Sequence, residues 1–163
     1  MAQSIIIVGA TGTGKTTFVK NIIKKVPNKK ALFIYDVNNE YRDYFPYPLQ
    51  SVSDFMEKTQ FISKGVFVLE EATIYLNNRS SNEYLTQLLV RKRHTNNTIL
   101  LVFHSMRAVP RYIYELSNTI VIFKTNDAAD MTSRELKDDR LEDIMNRVKN
   151  HKNPHYCEIL KIY

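Results

Sequence analysis

Residues 9–16, Gly9-Ala10-Thr11-Gly12-Thr13-Gly14-Lys15-Thr16, reproduce the spacing G-x-x-x-x-G-K-[ST] in full. In such a loop successive backbone N–H groups turn inward as an anion nest, and the following helix adds the positive end of its dipole. Gly12 and Gly14 let the main chain approach phosphate oxygens with no side chain in the way. Lys15 is placed to reach the β- and γ-phosphates of a nucleoside triphosphate, and the Thr16 hydroxyl to complete the shell of a Mg²⁺ ion. With Thr17 beside them, the candidate nucleotide-binding set is Gly9, Ala10, Thr11, Gly12, Thr13, Gly14, Lys15, Thr16 and Thr17. The alternative is a glycine turn carrying a surface lysine. The apolar run Ile5 to Val8 that feeds the loop and the amphipathic helix that leaves it argue against this.

A phosphate loop implies a nucleotide but not a reaction, so the acidic residues must decide. The apolar run Val66-Phe67-Val68-Leu69 ends in Glu70-Glu71, which brings two carboxylates to the C-terminal edge of a sheet, beside the phosphates. Successive strand side chains point to opposite faces, so the two acids cannot do the same job. Glu70 is expected to hold Mg²⁺ directly or through water, and Glu71 to orient and deprotonate the attacking water. Without the phosphate loop the same pair would read as two solvated acids opening a turn. The guanine-reading order N-K-x-D does not occur; Lys124-Thr125-Asn126-Asp127 has the wrong order.

These groups need a scaffold, and the hydrophobic pattern supplies one. Short apolar runs recur at Ser4 to Val8, Ala31 to Tyr35, Gly65 to Leu69, Thr98 to Phe103 and Thr119 to Phe123. Most are continuous rather than alternating, as in parallel strands covered on both faces. Helical spacing marks Lys15 to Val26, Ser81 to His94 and Asp139 to Asn150, the last capped by Asp138 or Asp139. The alternation predicts an α/β sandwich with a mainly parallel sheet. The tail His155 to Tyr163 reads as a further strand, and the polar stretch Lys124 to Lys137 as a solvated connection.

Composition narrows the class. The chain has 163 residues, 44% hydrophobic and 25% charged, which is enough for one globular domain spanning residues 1–163 and excludes coiled-coil and disordered classes. A lone Cys157 allows no internal disulfide, the N-terminus has no signal-peptide pattern, and no apolar run approaches the roughly 20 residues of a bilayer span. The expectation is a cytoplasmic protein with no membrane partner. A formal charge of +6 leans towards a polyanion, although many basic domains bind no nucleic acid.

On these residues the chain resembles the FtsK/HerA superfamily of DNA-pumping ATPases, and within it the viral genome-packaging ATPases, over a motor core of residues 4–126. The strand Leu32-Phe33-Ile34-Tyr35-Asp36 followed by Glu40-Tyr41 is similar to the family's second strand, and Val66 to Ala72 to its Walker B strand, with Glu70 where the family has Asp. Leu89-Val90-Arg91-Lys92-Arg93-His94, the strand Ile99 to Phe103 and His104-Ser105-Met106-Arg107 resemble its Arg-bearing helix end, sensor strand and basic segment. The family's common sensor Gln is absent, so His104 or Ser105 must substitute; a buried, satisfied histidine is the alternative for His104.

The resemblance implies a three-layer P-loop NTPase of the ASCE, RecA-like type that hydrolyses ATP with Mg²⁺ to translocate double-stranded DNA. It also implies a homo-oligomeric ring, pentamer or hexamer, docked on a portal or procapsid, with Arg93, or second Arg91, acting on the neighbouring subunit's site. For Arg91-Lys92-Arg93 the other readings are a helix end complementing its dipole, or a DNA-facing patch. DNA contact is expected from Asn77 to Asn82, the pairs Lys24-Lys25 and Lys29-Lys30, or Arg107 with Arg111. Tyr41, Tyr44, Phe45 and Tyr47, with Pro46 and Pro48, are expected to pack over the sheet edge rather than stack on bases. His151, His155 and Cys157 have loose metal-like spacing, but Pro154 breaks any shared face and zinc is not expected. The rival function is a small nucleoside or nucleotide kinase, which shares the loop and the length.

Overall fold

In the computed structural model, which describes residues 2–44 and 49–163, six strands form one sheet in the order β2-β3-β4-β1-β5-β6. They are β1 (Gln3–Val8), β2 (Leu32–Tyr35), β3 (Val66–Leu69), β4 (Thr98–Phe103), β5 (Thr119–Ile122) and β6 (Glu158–Lys161). The first five are parallel and β6 runs antiparallel along β5. The continuous apolar runs are strands covered on both faces, as their composition predicts.

Alternate residues divide the core into two layers. Ile7, Val68, Leu100, Val102 and Val121 face α1 (Lys15–Lys24), which buries Val19 and Ile23 against them. Ile6, Phe67, Leu69, Leu101, Phe103 and Ile120 face the other helices, α2 (Val52–Thr59), α3 (Arg79–Thr95), α4 (Arg111–Leu116), α5 (Ala129–Leu136) and α6 (Arg140–Asn150). Under α2 the rings of Tyr35, Phe55, Phe67 and Tyr75 meet edge to face, with centroids 5.2 to 6.3 Å apart.

Besides the six-residue α4, two helices lie where the sequence pattern predicts none. The first is α2, which buries Phe55 and Thr59 on a single short face and is started by Ser51, whose hydroxyl accepts the Asp54 N–H at 3.0 Å. The second corrects the expectation that Lys124 to Lys137 is a solvated connection: α5 occupies its second half. Its buried face is Thr132, Ser133 and Leu136, and the Thr132 hydroxyl donates to the Ala128 carbonyl at 3.0 Å. Small hydroxyl side chains fill that face, so no apolar periodicity marks it. At α6 the helix is fixed by Asp138 rather than Asp139: the Asp138 carboxylate accepts the Arg140 N–H at 3.2 Å and pairs with its guanidinium at 2.7 Å. That pairing holds the Asp138 carboxyl at about 2. The tail strand, β6, is present as expected.

At the N-terminal edge of the sheet one buried amide fastens three connections. Asn97 accepts the Gly65 N–H at 2.9 Å and donates to the Ile62 carbonyl at 3.0 Å, while its own N–H donates to the Lys92 carbonyl at 3.0 Å. Replacing Asn97 by Ala leaves two backbone groups without their side-chain partner. We expect a loss of about 1–3 kcal/mol in urea unfolding, with little effect on nucleotide binding at the far edge.

Candidate active site

Parallel pairing of β1, β3 and β4 delivers the ends of all three strands to one edge, and the sequence-predicted groups collect there. The loop after β1 is fastened between its neighbours: Gly9 N–H donates to the Phe103 carbonyl at 3.2 Å and Ala10 N–H to the Lys124 carbonyl at 2.8 Å. Gly12 and Gly14 have φ of 79° and 106°, in the region that side-chain-bearing residues rarely adopt, and α1 starts directly after Gly14. The Thr13 hydroxyl and the Lys15 ammonium both donate to the Ala10 carbonyl, at 2.8 and 3.0 Å. Lys15 is buried, which lowers its pKa, while the carboxylates of Glu70, Glu40 and Glu71 pull it the other way.

The two acids after β3 take different environments. Glu70 is 3% exposed and accepts the Tyr41 hydroxyl at 2.6 Å. Burial raises its pKa to about 7, against the lowering effects of the Tyr41 hydrogen bond and the nearby Lys15. Tyr41 is itself fully buried, and its backbone N–H donates to the Asp36 carboxylate at 2.9 Å, so the turn after β2 holds the residue that holds Glu70. Burial beside Glu70 drives the Tyr41 hydroxyl well above its ordinary pKa, keeping it a donor. Glu71 sits in a left-handed turn, φ 56°, ψ 49°, and its carboxylate pairs with Nε2 of His104 at the end of β4. Nδ1 of the same ring lies 3.4 Å from Lys15 Nζ. An ammonium only donates and a carboxylate only accepts, so a neutral imidazole with its proton on Nε2 satisfies both neighbours.

His104 and Ser105 part company here. The Ser105 hydroxyl donates to Asp127 at 2.7 Å and accepts the Arg107 N–H at 3.2 Å, and the other Asp127 oxygen takes the Met106 N–H at 2.8 Å. Ser105 therefore fixes the turn after β4, and of the two sensor candidates His104 is the one that meets Lys15 and Glu71. Glu40, to which the sequence reading gives no task, accepts the Thr16 hydroxyl at 2.8 Å. The sequence marks Glu40 and Tyr41 only through their likeness to the family's second strand; their partners, the Thr16 hydroxyl for Glu40 and the Glu70 carboxylate for Tyr41, are found in the structure alone.

Arg91 and Arg93 do not join this site within the chain. The helix α3 leaves the acid edge and returns over its 17 residues, about 25 Å, to the opposite edge, where Arg91 and Arg93 lie exposed. They do not form one basic patch with Lys92, which is buried and donates to the Leu116 carbonyl at 2.6 Å. Arg91 borders a cavity of about 410 Å³ between α2 and α3, with Met56, Tyr84 and Leu88, far from the phosphate loop. Several other basic candidates are already engaged. Lys29 donates to the Ile23 carbonyl at the end of α1, Lys24 lies over the Tyr44 ring, and Arg79 and Arg111 pair with Glu83 and Glu115 at 2.7 Å. Tyr41 packs in the core as expected; Phe45, Pro46, Tyr47 and Pro48 lie outside the described residues.

The family described as Helicase HerA, central domain, matches residues 1–161. The chain belongs to that family. Membership places it in the FtsK/HerA superfamily that its motifs resemble, and its fold is that of a P-loop NTPase. The genome packaging NTPase B204 from Sulfolobus turreted icosahedral virus 2, in complex with AMP, superposes with a TM-score of 0.72 at 20% identity, over 98% of this chain and 92% of that one. B204 from Sulfolobus turreted icosahedral virus, the DNA-packaging ATPase, gives 0.73 at 18% identity over 98% and 97%. ATPases 2 and 3 of EccC from Thermomonospora curvata give 0.59 at 13% identity, covering 77% of this chain and 30% of that one. No curated protein matches the chain. Among the described residues no helix is long and apolar enough to cross a membrane.

The HerA-family site carries a cost in stability. Glu70 ionises near 7 when folded and near 4.5 when exposed, so between those values the folded chain binds the extra proton and stability falls as pH rises. We expect Glu70→Gln, which keeps an acceptor for Tyr41, to melt higher than wild type at pH 8 and to lose that advantage at pH 4.5. The difference is on the order of a few kcal/mol and is read by thermal unfolding at the two pH values.

Proposed function

We propose that this chain hydrolyses ATP to move double-stranded DNA, as the motor of a viral genome-packaging machine. The observation that carries the reading is the line from Lys15 through His104 to Glu71, which joins a phosphate-binding lysine to a carboxylate at the end of the neighbouring strand. Glu71 is the base that takes the proton of the attacking water, and His104 orients it and senses the phosphate end through Lys15. Lys15 and the loop N–H groups balance the charge that builds as the terminal phosphoryl group leaves. Thr16, Glu40 and Glu70 supply only oxygen donors, which suits Mg²⁺, and Thr16 with one of the two acids would hold it. The bound ion would neutralise phosphate charge and polarise the phosphoryl oxygens.

The position of Arg91 and Arg93 supports action in trans. An arginine on the edge opposite its own phosphate loop can serve a neighbour when subunits associate head to tail, and that contact repeated by rotation closes a ring. We take the ring to be a pentamer or hexamer, with Arg93 the first choice for the finger, docked on a portal or procapsid in the host cytoplasm. Arg107, exposed on the turn after β4, and the Asn77-Asn78 turn lie on the acid edge and are the candidates to grip the DNA backbone. Such contacts read phosphate rather than sequence.

Steady-state turnover tests the reading. Wild type is expected to hydrolyse ATP faster with long double-stranded DNA than without, with the stimulation falling as salt rises. Glu71→Gln is expected to lower that rate by about 10²–10⁴-fold while nucleotide still binds. Turnover that ignores DNA but phosphorylates an added nucleoside would establish the kinase reading instead. For the finger, Arg93→Ala and Lys15→Ala subunits, each inactive alone, should recover activity when mixed; no recovery rules out Arg93 in trans.

A further inference from the structure

Beyond the phosphates, the loop opens into a cleft of about 660 Å³ whose far wall is built by residues that no part of the hydrolysis chemistry uses. Phe18 and Asn21 come from α1, Phe123 from the end of β5, and His155 and Cys157 from the segment before β6. His155 stands directly over the loop. A Cβ on Gly14 would lie 3.5 Å from its Nδ1 and 3.7 Å from its Cβ, and 3.5 Å from the Phe123 ring.

The sheet explains why a residue so late in the chain arrives here. An antiparallel neighbour of β5 must begin where β5 ends, which is the edge that carries the phosphate loop, and Glu158 pairs with Ile122 accordingly. The turn that feeds it is fastened at several points. Lys124 Nζ donates to the His151 carbonyl at 2.5 Å, the His151 and Tyr156 rings stack with centroids 3.8 Å apart, and Arg147 pairs with Glu158 at 2.6 Å. The His155 N–H donates to the Asn153 side chain at 2.9 Å, so the backbone that carries the imidazole is tied while the ring itself is exposed. An exposed, flat ring carried on a fastened turn at the mouth of a phosphate site has the chemistry of a platform for an aromatic ligand.

We infer that the cleft beyond Gly14 is the nucleobase site of this chain, with the imidazole of His155 as the stacking platform and the Asn21 carboxamide as the polar group facing the nucleoside. The ligand class is a nucleoside 5′-triphosphate, recognised here by the π-face of its base and at the loop by its phosphates. The inference rests on the reading of the loop as a nucleoside triphosphate site, but not on what the hydrolysis drives. Neither the P-loop motif nor the acid pair designates His155, because it lies 140 positions downstream of Lys15 by sequence and reaches the loop only through the antiparallel edge strand.

Calorimetric titration separates the base from the phosphates. Wild type, His155→Ala, His155→Phe and Lys15→Ala are titrated with a non-hydrolysable ATP analogue and, separately, with inorganic tripolyphosphate. His155→Ala should weaken the nucleotide by about 5- to 100-fold, the range of one base–aromatic stack, while tripolyphosphate binds within about twofold of wild type. His155→Phe should restore nucleotide binding, and Lys15→Ala should weaken both ligands. The inference is overturned if His155→Ala binds nucleotide as wild type does, if it loses tripolyphosphate equally, or if Phe fails to restore what Ala removes. If wild type binds neither ligand, the nucleotide reading of the loop falls as well; if only His155 proves neutral, that reading stands alone.

Discussion

Parallel pairing of β1 with β4 and of β4 with β3 is the constraint on which the rest of the site depends. It makes three strand ends coincide, so a loop at residue 9, acids at residues 70 and 71 and a histidine at residue 104 become neighbours although they are far apart in the sequence. The crossovers that parallel strands require then put helices on both faces, and burial of both faces makes the strands continuous apolar runs. Register matters as much as direction. Val68 and Glu70 share a face, so Glu70 lands on the α1 side with Lys15 and Tyr41, whereas Glu71 turns out of the strand towards His104.

The arrangement sets a buried charge against its surroundings. Glu70 is withdrawn from water next to other carboxylates, and the Tyr41 hydroxyl and the Lys15 ammonium are what it receives in return. Such a group is costly in isolation and is retained where it meets another charge. The backbone at Glu71 adds to this, since a left-handed conformation at a glutamate costs on the order of 1–3 kcal/mol. Both costs sit within two consecutive residues, beside the phosphate loop.

Much of this was legible in the residue order because the signals are local. The phosphate loop, the five parallel strands and α1, α3 and α6 all announce themselves through spacing within a dozen residues. What was not legible depends on partners far apart or on burial without hydrophobicity. The Tyr41 and Ser105 side chains find their carboxylates 29 and 22 positions away, and nothing in either neighbourhood marks the pairing. Ser105 fitted a sensor by position alone, until Asp127 claimed its hydroxyl. The helix α5 hides because Thr132 and Ser133 do the packing, and α2 because one phenylalanine anchors it. Arg91, Lys92 and Arg93 read as one basic cluster, yet consecutive helix positions are about 100° apart, so the middle one turns into the core.

The helix α3 reaches from the turn after the acid pair to the edge where β4 begins. It is one uninterrupted hydrogen-bonded rod, so its two ends cannot be displaced independently. Mechanically it is a strut: a push delivered at the acid end is felt at the arginine end within the same subunit, without any relay of side chains between them.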